Sequence, residues 1–139
     1  MDNTLEAGSV VKDFEMRDRD GNLVKLSDFK GKLVYMDIWA TWCGPCVEEI
    51  PNMEKLYQHY KDDPQILLVS VSVDSKKNLW EKKLDEDKPQ WPQYIVDGAL
   101  KDKLYNEYII TGIPRFMMFD SEGRIITINA MRPSNGKLI

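Results

Sequence analysis

Cysteine and histidine are scarce in this chain, with two cysteines and one histidine among 139 residues. So few soft ligands cannot complete the four-ligand set of a structural zinc site, and no metal is expected. Two cysteines with two residues between them are also poor structural staples, because so short a loop removes little entropy from the unfolded chain. Positive charge is in deficit: 19 Lys and Arg stand against 23 Asp and Glu, a net charge of −4. That balance excludes nucleic acid and anionic membrane surfaces as partners selected by charge. No apolar run approaches the roughly 20 residues needed to span a bilayer. The start, Met1 to Glu6, lacks the basic and apolar segments of an export signal. Repeats, low-complexity tracts and interior linkers are missing too, so one domain over 1–139 is expected.

What is present is an alternation of strand and helix patterns. Val10 to Met16 and Leu23 to Leu26 flank the turn residues Asp20-Gly21-Asn22 and predict an N-terminal hairpin. Ser27-Asp28 starts a short helical turn that Gly31 breaks. Lys32 to Trp39 and Ile66 to Val73 are apolar enough to be buried strands. Between them, Val47, Ile50, Met53, Leu56, Tyr57 and Tyr60 share one helical face from Cys43 to about Lys61, with a kink at Pro51. Ser75 is placed to cap a helix carrying Leu79, Trp80 and Leu84, aided by Asp74. A short strand at Tyr94 to Val96, a helix through Leu100, Leu104 and Tyr108, and a hairpin of Arg115 to Phe119 with Arg124 to Ile128 complete the pattern. The order predicts an α/β sandwich with a mixed central sheet.

The chemistry lies in Trp42-Cys43-Gly44-Pro45-Cys46, at the junction of a strand and a helix. Disulfide exchange needs a thiolate to attack and a second thiol to resolve the mixed disulfide. Cys43 is the candidate nucleophile, because unpaired N–H groups at a helix start favour the thiolate. Cys46, one turn in, is the resolving candidate. Gly44 permits a tight turn, and Pro45 suits a first turn that needs no N–H. Asp37, among apolar neighbours, is a candidate acceptor for the Cys46 proton, since burial raises a carboxyl pKa. A purely structural acid is its other reading. Trp42 is expected to be a partly exposed contact for substrate, with Trp39 packed beneath. His59 is assigned no role.

The run from Asp37 to Cys46 resembles the active site of the thioredoxin superfamily. Pro51 matches its kink proline, and Gly112-Ile113-Pro114 matches its cis-proline loop. The resemblance implies a three-layer thioredoxin-like sandwich, an Ile113 backbone that pairs with substrate, and a Pro114 that shields the sulfurs. From Asp74 to Pro114 is forty residues, more than plain thioredoxins use, so an extra helix–strand unit fits before that loop. With the N-terminal hairpin, this resembles the TlpA/ResA-type branch, in which a glutamate at the position of Glu49 lies near the cysteines. The resemblance makes Glu49, alongside Asp37, a second catalytic candidate for handling the protons of the exchange. Glu49 also reads as a solvated helix residue beside Glu48.

The implied activity is reduction of protein disulfides through a Cys43/Cys46 cycle, with no cofactor beyond that redox-active disulfide. Disulfide-bonded proteins are the implied clients and a membrane thiol reductase the implied donor, for a monomer exported or tethered in the bacterial envelope. A cytoplasmic location is the alternative. A thiol peroxidase is a weaker reading, because the peroxiredoxin branch places Thr or Ser and Pro where Ala40 and Met36 stand. A non-catalytic binding module is a third, opposed by the intact cysteine pair. The resemblance implies a closing helix that Pro133 to Ile139 only begins, so either truncation, the favoured reading, or a partner covering that face is expected. It also implies that the cysteines lie at the opposite end of the sheet.

Overall fold

The computed structural model describes residues 6–135. Met1 to Leu5, read above for a leader, and the last four residues of the tail lie outside the described residues. Strands β1 (Glu15–Arg17) and β2 (Leu23–Lys25) form the expected hairpin. β1 starts later than the sequence suggests, and Val10 instead makes an isolated bridge to Arg124. The Asp18 carboxylate accepts the N–H groups of Asp20 and Asn22, each at 2.9 Å, and Gly21 takes a positive φ of 88° to close the turn.

After a 3₁₀ turn at Leu26–Phe29, β3 (Leu33–Trp39) runs through the middle of the sheet. It leads into α1 (Gly44–Glu48) and α2 (Ile50–Tyr60), then β4 (Ile66–Ser72) and α3 (Lys77–Asp87). β5 (Gln93–Ile95), α4 (Gly98–Tyr108), β6 (Arg115–Phe119) and β7 (Ile125–Thr127) follow, and a 3₁₀ turn at Pro133–Asn135 ends the described chain. The long helix expected from Cys43 is thus two segments. Pro51 has no N–H to continue the ladder, and Glu49 serves as the cap of both.

The sheet has seven strands in the order β2-β1-β5-β4-β3-β6-β7. β3–β4 and β4–β5 pair in parallel, and the other pairs are antiparallel. This is the mixed sheet of a thioredoxin-like fold. Alternation along β3 sorts its side chains. Val34, Met36 and Ile38 join the main core with Val69, Val71, Met117 and Phe119. Tyr35 joins Leu68, Phe116, Met118, Met53 and Trp91 in a second cluster. The largest fully buried side chains include Trp80, Tyr35, Tyr108 and Phe14, and burial of each such group stabilises the fold by about 1.5–3 kcal/mol. Parallel register aligns Asp37 with Ser70, and antiparallel register aligns Ile38 with Arg115. The active loop, the end of the strand that carries Ser70 and the loop before β6 therefore lie at one end of the sheet.

Candidate active site

Strand β3 delivers the chain to Cys43 through the loop Ala40-Thr41-Trp42. One carboxyl group anchors that loop. Asp74, buried just past β4, accepts the Thr41 N–H at 3.1 and 3.2 Å, the Thr41 hydroxyl at 2.7 Å, and the Ser72 hydroxyl. It does not cap α3 as expected. Neither does Ser75: the N-cap of α3 is Lys76, with no side-chain cap bond. Three contacts to Thr41 of the active loop and one to Ser72 of β4 hold Asp74 more firmly than one helix end would.

Cys43 is the N-cap of α1, with extended backbone, and its Sγ accepts the Cys46 N–H at 3.3 Å. The two cysteines form a disulfide with their Cα atoms 5.2 Å apart. Pro45 lies in the first helical turn, as its missing N–H allows. Both cysteines are buried, whereas Gly44 and Pro45 are exposed and Trp42 is 66% exposed. Trp39 is buried and, among the described residues, its indole N–H has no partner.

Asp37 is buried within β3. Burial raises its carboxyl from 3.8 to about 7; the Ser70 hydrogen bond pulls the other way, and the negative charge of Glu49 adds to the rise. Ser70 Oγ donates to Asp37 Oδ2 at 3.1 Å and accepts the Trp91 indole N–H at 2.8 Å. Asp37, Ser70, Trp39, Trp91 and Asp87 help line a cavity of about 20 Å³, which exceeds the roughly 10–15 Å³ one water requires. A carboxyl poised near neutrality beside such a space has the protonation chemistry of an acid–base group.

Glu49 is buried rather than solvated. Its Oε1 accepts the Ser134 N–H at 3.0 Å and the Asn52 amide at 3.3 Å, and its Oε2 accepts the Ser134 hydroxyl at 2.9 Å. The tail therefore reaches the residue three past Cys46, correcting the expectation that it lies far from the cysteines. It crosses the sheet on the way, where Ala130 N–H bonds Phe116 and Met131 accepts the Tyr35 hydroxyl at 2.6 Å.

The Ile113–Pro114 bond is cis, and Ile113 packs partly buried against the cluster that contains both cysteines. The Arg115 guanidinium ties the end of α4 to the segment after β7, donating to the carbonyls of Tyr108, Ile109 and Ile128 at 3.3–3.4 Å. Among the described residues, no cluster of three or more His, Cys, Asp or Glu is placed to hold a metal. The sequence reading missed Ser70, Trp91, Ser134 and the loop role of Asp74. Only Asp74 left a signal, as an acid at a strand end near the motif.

A disulfide closed at the head of a helix, with a cis-proline beginning the neighbouring strand of a mixed sheet, defines a thioredoxin-fold thiol–disulfide oxidoreductase. The chain belongs to the Redoxin family, whose model matches residues 6–136, and is a TlpA/ResA-like member of the thioredoxin superfamily. It is 32% identical to the thiol-disulfide oxidoreductase ResA of Geobacillus kaustophilus, across 87% of this chain and 67% of that one. A crystal structure of a Bacteroides vulgatus protein assigned to the thiol-disulfide oxidoreductases superposes with a TM-score of 0.87 at 39% identity, covering 96% of this chain and 92% of the other. The solution structure of a thiol:disulfide interchange protein from a Bacteroides species gives a TM-score of 0.84 at 32% identity, covering 95% and 86%.

Proposed function

We propose that this enzyme reduces disulfides in protein clients, with Cys43 as nucleophile and Cys46 as resolving thiol. The observation that carries the reading is the Cys46 N–H aimed at Cys43 Sγ from the head of α1, a donor suited to a developing thiolate. The Cys43 thiolate attacks one sulfur of the client disulfide, and the other client sulfur leaves as a thiolate. Cys46 passes its proton to Asp37 and attacks Cys43 Sγ. The Cys43–Cys46 bond forms, the second client sulfur departs, and two electrons have moved from the enzyme to the client. An external dithiol then restores the cysteines.

In this reading exposed Trp42, Gly44 and Pro45 form the contact surface, while Ile113 and Pro114 seat the client backbone and keep it over the sulfurs. Glu49 supports proton transfer indirectly, as a negative charge that raises Asp37. The likeness to a thiol-disulfide oxidoreductase and a thiol:disulfide interchange protein supports disulfide-bonded clients. The TlpA/ResA-type resemblance implies a bacterial envelope location and a membrane thiol reductase as donor. No helix among the described residues is long and apolar enough to cross a membrane. We further infer one thioredoxin-like domain, working as a monomer.

Trapping tests the roles. Reduced Cys46→Ser, mixed with a disulfide-bonded protein such as insulin, is expected to accumulate as a covalent adduct through Cys43 on non-reducing electrophoresis. Cys43→Ser is expected to form none. An adduct only with Cys43→Ser would reverse the roles, and none with either variant would remove the reading.

A further inference from the structure

The α3–β5 unit sends one side chain back toward the active site. Trp91, in the irregular segment before β5, is 5% exposed and packs its ring 5.8 Å from that of Tyr57. Its indole N–H donates to Ser70 Oγ at 2.8 Å, and Ser70 Oγ in turn lies 3.1 Å from Asp37 Oδ2. The backbone fixes the same geometry twice. Parallel register sets Ser70 beside Asp37, and the Ser70 N–H bonds the Pro92 carbonyl at 3.1 Å, next to Trp91 in sequence.

We propose that Trp91 and Ser70 are positioning residues that direct a single hydroxyl hydrogen onto Asp37 and so tune its proton affinity. The inference rests on the reading of Asp37 as proton acceptor for Cys46.

The chemistry of the donors sets the direction of the chain. Indole nitrogen only donates, so it must occupy a lone pair of Ser70 Oγ. A serine hydroxyl has one hydrogen and two lone pairs. With one lone pair taken and its hydrogen turned to Asp37, Ser70 supports the ionised carboxylate rather than the protonated acid. The bond from Trp91 also polarises the hydroxyl and strengthens its donation. Burial and the charge of Glu49 push the other way. The remaining titratable groups around Asp37 are Tyr35, two residues earlier on β3, Asp87 on the shared cavity and the Cys46 thiol of the reduced enzyme. Among the described residues none of these donates a hydrogen bond to Asp37, whereas Ser70 does, so the loss of Ser70 or of the Trp91 N–H should be read directly in its titration.

The test follows Asp37 by carboxyl ¹³C NMR in the disulfide form, where neither cysteine titrates. Trp91→Phe and Ser70→Ala should each raise the proton affinity of Asp37 by about three- to tenfold, while Ser70→Thr, which keeps the hydroxyl, should restore the parental midpoint. In the parent protein, the Trp91 indole N–H resonance should titrate with the Asp37 midpoint and become flat in Asp37→Asn. Unchanged midpoints in both variants, or a Trp91 resonance flat in the parent, would overturn the proposal. The parent measurement holds even where a variant fails to fold. Parental resolution of mixed disulfides by Asp37→Asn would instead sink the proton-acceptor reading alone, since the NMR titration reports the relay independently.

Discussion

Asp37→Asn should stabilise the disulfide form by about 2–4 kcal/mol at pH 8 and leave it nearly unchanged at pH 4. The sign follows from the direction of the shift. Burial first, then the charge of Glu49, raises the folded carboxyl from 3.8 to about 7 against the pull of Ser70. Between those values the folded protein holds a proton that the unfolded chain releases, so stability falls as pH rises across that window. Above about 7 the buried carboxylate is ionised and the full cost is present. Asparagine keeps the shape, accepts the Ser70 hydroxyl and has no charge to bury. Urea midpoints at the two pH values measure the difference. An equal gain at both would mean that ionisation is not its source. The same variant should resolve mixed disulfides about 10²-fold more slowly at pH 7, because the departing Cys46 proton loses its acceptor.

Asp74→Ala should destabilise the protein by about 3–5 kcal/mol, the second large effect. The substitution strips the Thr41 N–H, the Thr41 hydroxyl and the Ser72 hydroxyl of one shared acceptor in a buried place. Each orphaned donor costs about 1–3 kcal/mol, less whatever a water recovers. Asp74→Asn retains one acceptor oxygen and should lose less than half as much. Because Thr41 lies two residues before Cys43, the alanine variant should also react more slowly with a disulfide client while the asparagine variant stays close to the parent. Urea midpoints and single-turnover client reduction separate the two. A loss below about 1 kcal/mol for the alanine variant would show that the loop holds its shape without Asp74.

These two acids also mark how far the sequence could be read. The apolar runs of β3 and β4, the helical face from Val47 to Tyr60 and the cysteine pair are local patterns, and local patterns predict elements well. Asp37 was legible for the same reason, as a charge set in an apolar strand. Asp74 was visible as an acid but not as a loop anchor, because a carboxyl after a strand can turn forward to a helix or back to a loop. The choice was made by the N–H and hydroxyl of Thr41, thirty-three residues away in the chain. Trp91 sits in Pro89-Gln90-Trp91-Pro92, where prolines erase any periodicity and nothing marks which surface the ring will meet. The clasp between Glu49 and Ser134 spans 85 positions and has no local signature. Contacts of that kind arise only when the sheet order brings distant segments together, so they belong to the fold rather than to any window of sequence.

The most direct test of the central claim is a redox titration of the Cys43–Cys46 pair in glutathione and dithiothreitol buffers, followed by tryptophan fluorescence, with Trp42 beside the disulfide as reporter. The account predicts one reversible two-electron transition with a midpoint below about −230 mV, in the range of dithiols that reduce their partners. A midpoint above about −180 mV would contradict it in favour of an oxidant or isomerase, and the lack of any reversible transition would contradict the enzyme itself.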